Sequence, residues 1–436
     1  SFTLKSSKSK PLNGITFVPS DKSISIRSLI ISSICLGNTK IFKLLESDDV
    51  LNTLKVLKKL RIKIERKKDH FEVYGQGGFF SDPDDKLDFG NSGTGVRLMT
   101  GLLSTSEVNA TLVGDKSLSS RPMNRIIKPL EKMNVCISHK NGLLPIKISN
   151  PNIIPVPVTH NLEIGSAQVK SAILLAGMNV KGITKIIENI PSRDHTEIML
   201  KYLGADLKVD KNVISLKSPN FLKPKNLYIP GDFSSAAFII VAVLLSIDSK
   251  VKIKDVGLNY YRIGLLEVLK KMNAKILVNN KKKLNGEVVG DIEIQSSNLK
   301  GITVRKQISP RLIDEYPILF VAASFASGTS KFYGLDELKV KESNRLKTMA
   351  RALSESGVKL KLGRDSIEIF GEKCQRGGTQ VETESDHRIA MSMLIFGFFS
   401  RNSIIIDDMS MIKTSFPGFK DVFQNLGANI EYFQKH

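Results

Sequence analysis

Tryptophan is absent from this 436-residue chain, and cysteine is nearly so, with only Cys35, Cys136 and Cys374. None of the three falls in a C-x-x-C pair, so neither a zinc knuckle nor a disulfide framework is indicated. The six histidines show no metal-ligand spacing. Cys35 lies in an apolar helix-like run and Cys136 in an expected strand, where each reads as a buried, inert thiol. Long apolar runs are missing as well. The longest, Ala236–Leu245, is far short of the ~20 residues that cross a bilayer as a helix. The opening SFTLKSSKSKPLNG carries cations but no apolar stretch of secretory type. These gaps lead us to expect a soluble, cytoplasmic protein with no membrane partner, in a reducing compartment. Acidic residues are outnumbered, 43 Asp and Glu against 64 Lys and Arg, for a net charge of +21. Such an excess concentrates anionic ligands. Binding of single-stranded nucleic acid usually interleaves stacking aromatics with the cations. With no Trp, and most of the 21 Phe in apolar runs, no nucleic-acid partner is expected.

What the chain does contain is a plan repeated six times. Each stretch opens with a small or acidic residue: Asp21, Asn91, Ser166, Asp232, Asp314 and Asp386 in turn. An apolar helical run follows, then a short strand such as TKIFKLL (39–45) or TKIIENI (184–190). A polar motif then opens an amphipathic helix that drains into another strand, as in MLKYLGADLKV (199–209). Each stretch is one βαβαββ module, too apolar on one face to stand alone, and stacked neighbours would bury that face. Small residues along the apolar runs predict helices packed inside with sheets around them. Six modules divide as three and three, with a break at Leu222–Pro230 and a second crossing at Val18–Ser20. We therefore expect one lobe from 20–228 and another from 1–19 plus 229–436, with the ligand between them, as is common for such clefts.

The charged residues sit at helix starts. In VPSDKSISIRS (18–28), Asp21 reads as the helix cap, with Lys22 and Ser23 in the first turn and Arg27 one turn on. Cations are disfavoured beside the positive end of a helix, so their presence points to a bound anion. GNSGTGVR (90–97) lets backbone N–H groups approach a ligand, and in GDKSLSSRPMN (114–124) Pro122 restricts the backbone of Arg121. GSAQVKSA (165–172) and PSRDHTE (191–197) place Ser166, Gln168 and Arg193 near two further helix starts. In LKVKESNRLK (338–347), the spacing predicts Lys341 and Arg345 on one helix face, with Asp314 supplied by LIDEYP (312–317). Arg388, in ESDHRIAM (384–391), falls in a first helical turn.

Taken together, these motifs resemble the 5-enolpyruvylshikimate-3-phosphate synthases. DKSIS-x-R, GNSGT-x-x-R, RPM, SAQVKSA, RDHTE, GD-x-SSAAF, VKES-x-RL, DHRIAM and TSFPGF occur in that family's order from about Ser20 to Ala428. The resemblance implies an α/β fold, a two-lobed inside-out barrel with six βαβαββ repeats, three per lobe. It implies transfer of the enolpyruvyl group of phosphoenolpyruvate to the 5-hydroxyl of shikimate 3-phosphate, through a tetrahedral intermediate, with no metal or organic cofactor. A monomer is expected.

Carried onto this sequence, the resemblance gives Lys22, Ser23 and Arg27 to shikimate 3-phosphate. Ser166, Ala167 and Gln168 would lie along both substrates, and Arg193 would reach the 3-phosphate. Lys341 and Asp314 would approach from the second lobe. Lys22, Arg121, Gln168, Arg345 and Arg388 would grip phosphoenolpyruvate, with Asn91, Gly93 and Thr94 near its phosphate. Asp314 would take the proton of the attacking hydroxyl, and Glu342 and Lys22 would handle protons at the methylene carbon. The chain departs from the family in three places. Ala167 replaces a serine found in some members. Thr414 stands where many have a lysine, with Lys413 one residue earlier. Leu98 stands where some carry proline. A related transferase acting on UDP-N-acetylglucosamine usually has a cysteine in the loop that reads GDKSLSSRP here, and its absence disfavours that alternative. An RNA-end-processing protein on a related repeat fold would also be basic and would be told apart by salt-dependent RNA retention.

Overall fold

The apolar runs fold into helices buried on nearly every side, because they offer no polar face to water. In Phe233–Leu245 every residue through Leu244 is buried, and His387–Gly397 is buried throughout. Fully burying one Val, Leu, Ile or Phe side chain stabilises by about 1.5–3 kcal/mol, so each such helix is held by packing rather than by intrinsic propensity. The structure, a computed structural model, describes residues 1–150 and 152–435.

The chain clusters into two units. One comprises Ser20–Pro230 with Lys283–Glu287, and the other Ser1–Pro19, Gly231–Lys282 and Val288–His436. Lys283–Glu287, expected with the second unit, groups with the first. There Glu287 Oε1 lies 2.5 Å from His195 Nδ1 and Asn285 Nδ2 donates to Tyr228 O at 2.6 Å. Each unit has its own main core of apolar side chains.

The described residues form six four-stranded sheets, all of one design. In the second module, Leu87–Asp88 runs parallel to Ala110–Val113, which pairs antiparallel with Leu143–Ser149, and that strand with Cys136–Lys140. The helix Gly93–Ser104 joins the two parallel strands. Leu143–Ser149 alternates between buried and open positions, one face to the core and one to water. Three strands are borrowed across long stretches of sequence. Leu227–Tyr228 completes the first module's sheet, Asn13–Thr16 the fourth's, and Phe2–Ser7 lies between Ile404–Ile406 and Asn429–Gln434 in the sixth.

In the first unit the helices Gly93–Ser104 and Ala167–Gly177 approach so closely that a Cβ on Gly101 would run into the backbone of Ala172. Glycine is needed there for its missing side chain. Gly101→Val would force the two helices apart.

Local expectations fail at four points. Asn91, which opens the second stretch, is not the residue next to its helix: Ser92 stands between them and caps Gly93–Ser104, its Oγ accepting from Gly95 N. Asp314, which opens the fifth stretch, does not lead straight into an α-helix: it lies in the 3-10 turn Ile313–Glu315, and the α-helix begins at Tyr316. Lys341 and Arg345 share no helix face, because the 3-10 turn Asp336–Val340 ends before Lys341 and the next helix starts at Arg345, capped by Asn344. Cys136 is exposed rather than buried, on the open side of an edge strand, and Cys35 lies just beyond its helix, though buried. No helix among the described residues is long and apolar enough to cross a membrane.

Candidate functional site

In the first unit the motifs are stitched together by arginine. Asp21 caps Lys22–Ser33 by accepting from Ile24 N at 2.7 Å, which puts Lys22 and Ser23 in the first turn. Lys22 Nζ donates to Asp49 Oδ2 at 3.1 Å. Arg27, 3% exposed, donates through Nε to Thr196 Oγ1 at 2.8 Å, through Nη2 to Ser171 Oγ at 3.1 Å and through Nη1 to Ser23 O at 3.1 Å. One guanidinium thus joins DKSISIR, SAQVKSA and RDHTE.

A second set surrounds the helix start at Gly93. Arg121 Nη2 donates to Asn91 Oδ1 at 2.8 Å and Asn91 O at 3.0 Å, and Asn91 Nδ2 donates to both Asp115 carboxylate oxygens. Gln168 Nε2 donates to Thr94 Oγ1 at 3.1 Å, and its Oε1 accepts from Arg97 Nη1 at 3.1 Å. A Cβ on Gly93 would lie 2.9 Å from Arg97 Nη1 and 3.1 Å from Arg121 Nη1. Glycine therefore keeps room for two guanidinium groups beside the backbone. Ser166 caps Ala167–Gly177, so Ala167 and Gln168 occupy its first turn. Arg193 is half-buried in the loop before His195–Tyr202. Lys170 anchors that loop: its ammonium, 1% exposed, meets Glu197 at 2.9 Å and Glu188 at 3.1 Å and donates to Ser192 O at 3.2 Å. Burial works against that cation, but Glu197 and Glu188 outweigh it and hold its pKa above the ordinary lysine value.

The second unit gathers its charges on Arg345, which is 1% exposed. Its Nε donates to Asp386 Oδ2 at 2.8 Å, its Nη2 to Glu342 Oε2 at 2.6 Å and its Nη1 to Asp314 Oδ1 at 3.4 Å. Burial opposes the cation, yet Asp386, Glu342 and Asp314 prevail and raise its pKa above the usual arginine range. Lys341 Nζ lies 3.9 Å from Asp314 Oδ1. Asp386 caps His387–Gly397 by accepting from Arg388 N at 3.0 Å, which sets Arg388 in the first turn. LIDEYP, VKESNRL and DHRIAM, far apart in sequence, thus share one guanidinium. Here the three partners are met by three different nitrogens of one rigid planar fork, which spreads the carboxylates more widely than a single ammonium nitrogen would.

Asp49, Arg97, Lys170, Ser171 and Thr196 are parts of these networks that sequence reasoning missed as site residues. Arg97 stood inside a quoted motif. Asp49 sits in the first turn of Asp48–Lys59, and nothing in local spacing ties it to Lys22. Thr414 Oγ1 donates to Met411 O at 2.7 Å and lies 2.8 Å from His387 Nδ1, so the hydroxyl at the variant position serves local contacts. Among the described residues no group of three or more His, Cys, Asp and Glu could hold a metal ion.

The family model for EPSP synthase (3-phosphoshikimate 1-carboxyvinyltransferase) matches residues 6–423. The chain belongs to the EPSP synthase family. It is similar to the 3-phosphoshikimate 1-carboxyvinyltransferase of Bartonella henselae, at 45% identity over 97% of this chain and 98% of the relative. It is also similar to that of Paramagnetospirillum magneticum, at 42% identity over 98% of each. A solved EPSP synthase from Acinetobacter baumannii superposes with a TM-score of 0.88 at 37% identity, covering 100% of both chains. The fold is thus the family's α/β inside-out barrel, whose helices lie within and sheets without.

Proposed function

We propose that this chain transfers the enolpyruvyl group of phosphoenolpyruvate to the 5-hydroxyl of shikimate 3-phosphate and releases inorganic phosphate, a step of the shikimate pathway toward aromatic amino acids. The family match over residues 6–423 carries this reading. Two polyanions repel one another, so a catalyst must supply several fixed cations before they come to reacting distance. In this reading the cations are Lys22, Arg27, Arg121 and Arg193 of one unit and Lys341, Arg345 and Arg388 of the other.

In this reading the unit of residues 20–230 takes shikimate 3-phosphate, through Lys22, Ser23, Arg27, Ser166, Gln168 and Arg193, beside the first turn at Ala167. Phosphoenolpyruvate is held by Lys22, Arg121, Gln168, Arg345 and Arg388, with its phosphate at Asn91, Gly93 and Thr94. Arginine suits both the planar carboxylate and the phosphate through paired donors. Asp314, with Lys341 beside it, accepts the proton of the 5-hydroxyl as that oxygen attacks C2. Glu342 and Lys22 deliver a proton to the methylene carbon, giving the tetrahedral adduct. Removal of a methyl proton and cleavage of the C–O bond to phosphate then restore the double bond. We read the enzyme as a cytoplasmic monomer that needs no metal or organic cofactor.

The test is phosphate release from the purified full chain. Release that requires both substrates together supports the assignment. Release from phosphoenolpyruvate alone, or none with both, refutes it.

A further inference from the structure

The GD-x-SSAAF motif has no part in the chemistry above, yet its side chains form a buried chain that ends beside Asp314. Asp232 caps Phe233–Leu245, its Oδ1 accepting from Ser234 N at 2.8 Å and Ser235 N at 3.4 Å. Arg262 Nη2 donates to the same Oδ1 at 3.1 Å and to Ser234 Oγ at 2.9 Å. Ser234 Oγ donates in turn to Glu315 Oε1 at 2.7 Å. Asp232, Ser234, Arg262 and Glu315 are 4, 3, 3 and 1% exposed.

Glu315 follows Asp314 in the 3-10 turn Ile313–Glu315. Successive side chains in such a turn point about 120° apart. One therefore faces the core while its neighbour turns toward the Arg345 network. Glu315 stands at the cap position of Tyr316–Phe325 but makes no side-chain cap bond. Its Oε1 accepts from Ser234 Oγ instead. The next residue is pinned too, with Tyr316 Oη 2.6 Å from Ser309 Oγ. Desolvating two carboxylates and a guanidinium adds little net stability compared with an apolar filling, and such groups are better at fixing one arrangement.

We infer that Ser234 and Glu315, held by Asp232 and Arg262, are positioning residues for Asp314. The hydrogen bond from Ser234 to Glu315 fixes the turn that aims the Asp314 carboxylate. This inference rests on the transferase reading above, in which Asp314 is the base. A misplacement of about 1 Å at a reacting group can cost about 100-fold in rate.

The experiment compares Ser234→Ala, Glu315→Ala and Glu315→Gln in the full chain, by phosphate release with both substrates and by calorimetric binding of shikimate 3-phosphate. Both alanine variants should lose kcat by about 10- to 100-fold. KM and shikimate 3-phosphate binding should stay within about twofold of wild type. Glu315→Gln keeps the accepting oxygen and should restore most of kcat. Unchanged kcat in the alanine variants, a loss confined to KM, or a glutamine variant as slow as the alanine one overturns the inference. If Glu315→Ala does not fold, Ser234→Ala decides, because it leaves the Asp232–Arg262 pair in place. A wild-type chain that binds shikimate 3-phosphate but releases no phosphate sinks the transferase reading itself, which separates the two failures.

Discussion

Lys22 Nζ and Asp49 Oδ2 stand 3.1 Å apart, with their side chains 15 and 8% exposed. The pair joins the first turns of Lys22–Ser33 and Asp48–Lys59. It keeps an ammonium at the positive end of a helix, where an isolated cation is disfavoured. Removing either partner leaves a part-buried charge behind.

Stability and binding should therefore separate at this pair. Lys22→Met is expected to lower unfolding free energy by about 1–3 kcal/mol, since Asp49 loses its counter-charge. Lys22→Met with Asp49→Leu should recover most of that loss. Binding of both substrates should remain weak in both variants. Denaturant titration and calorimetry read the two effects, and recovery of binding in the double variant would contradict the role given to Lys22.

Asp314→Ala should slow turnover by about 100- to 10,000-fold, the usual weight of a general base. Arg345 keeps Asp386 and Glu342 as partners, so the fold and shikimate 3-phosphate binding should persist. Steady-state rates set beside calorimetric binding check this, and near-normal turnover removes Asp314 from the mechanism.

His160 gives a pH-dependent loss of stability. It is 2% exposed, in the strand Thr159–Leu162, and its Nε2 is buried without a hydrogen-bond partner. Burial, with a smaller contribution from Lys132, lowers its pKa from 6.5 to about 4. The unfolded chain takes up a proton below pH 6.5 that the folded chain refuses until about pH 4. Stability from this group is thus present above its unfolded value and falls away as pH drops through that window, by roughly 3 kcal/mol at the bottom. His160→Gln should flatten that part of the profile in denaturant titrations. An unchanged slope would mean the histidine is protonated in the folded protein.

The cysteines should divide by accessibility. Cys35 is buried and its thiol is pushed up to about 12 by burial, while Cys136 and Cys374 are exposed. A thiol reagent should modify two sites on the native chain and the third only after unfolding. Fast modification of Cys35 in the native state would show that its surroundings open.

Much of this was legible in the sequence, because the repeat sets both helix and strand and because Asp21, Ser166, Asp232 and Asp386 cap where their spacing puts them. Arg388 was read from its place in a first turn, and Arg27 from its place one turn beyond Lys22 and Ser23. What stayed hidden was non-local. Asp49 meets Lys22 from another helix, and Thr196 meets Arg27 across many residues of sequence. Asp314 and Lys341 were misplaced locally because 3-10 turns interrupt the α-helical spacing just where the acid chemistry sits. Cys136 was misjudged because an edge strand has one open side, which its residue types do not reveal.

The strand Phe2–Ser7 can find its partners only when Ile404–Ile406 and Asn429–Gln434 have been made. Every strand of the first unit's three sheets lies between residues 36 and 228. During synthesis those sheets can close early, whereas this short, largely polar strand must wait, unpaired, until both partners have been made. Pairings so distant are slow to form. The sixth sheet is thus the last that synthesis allows to close.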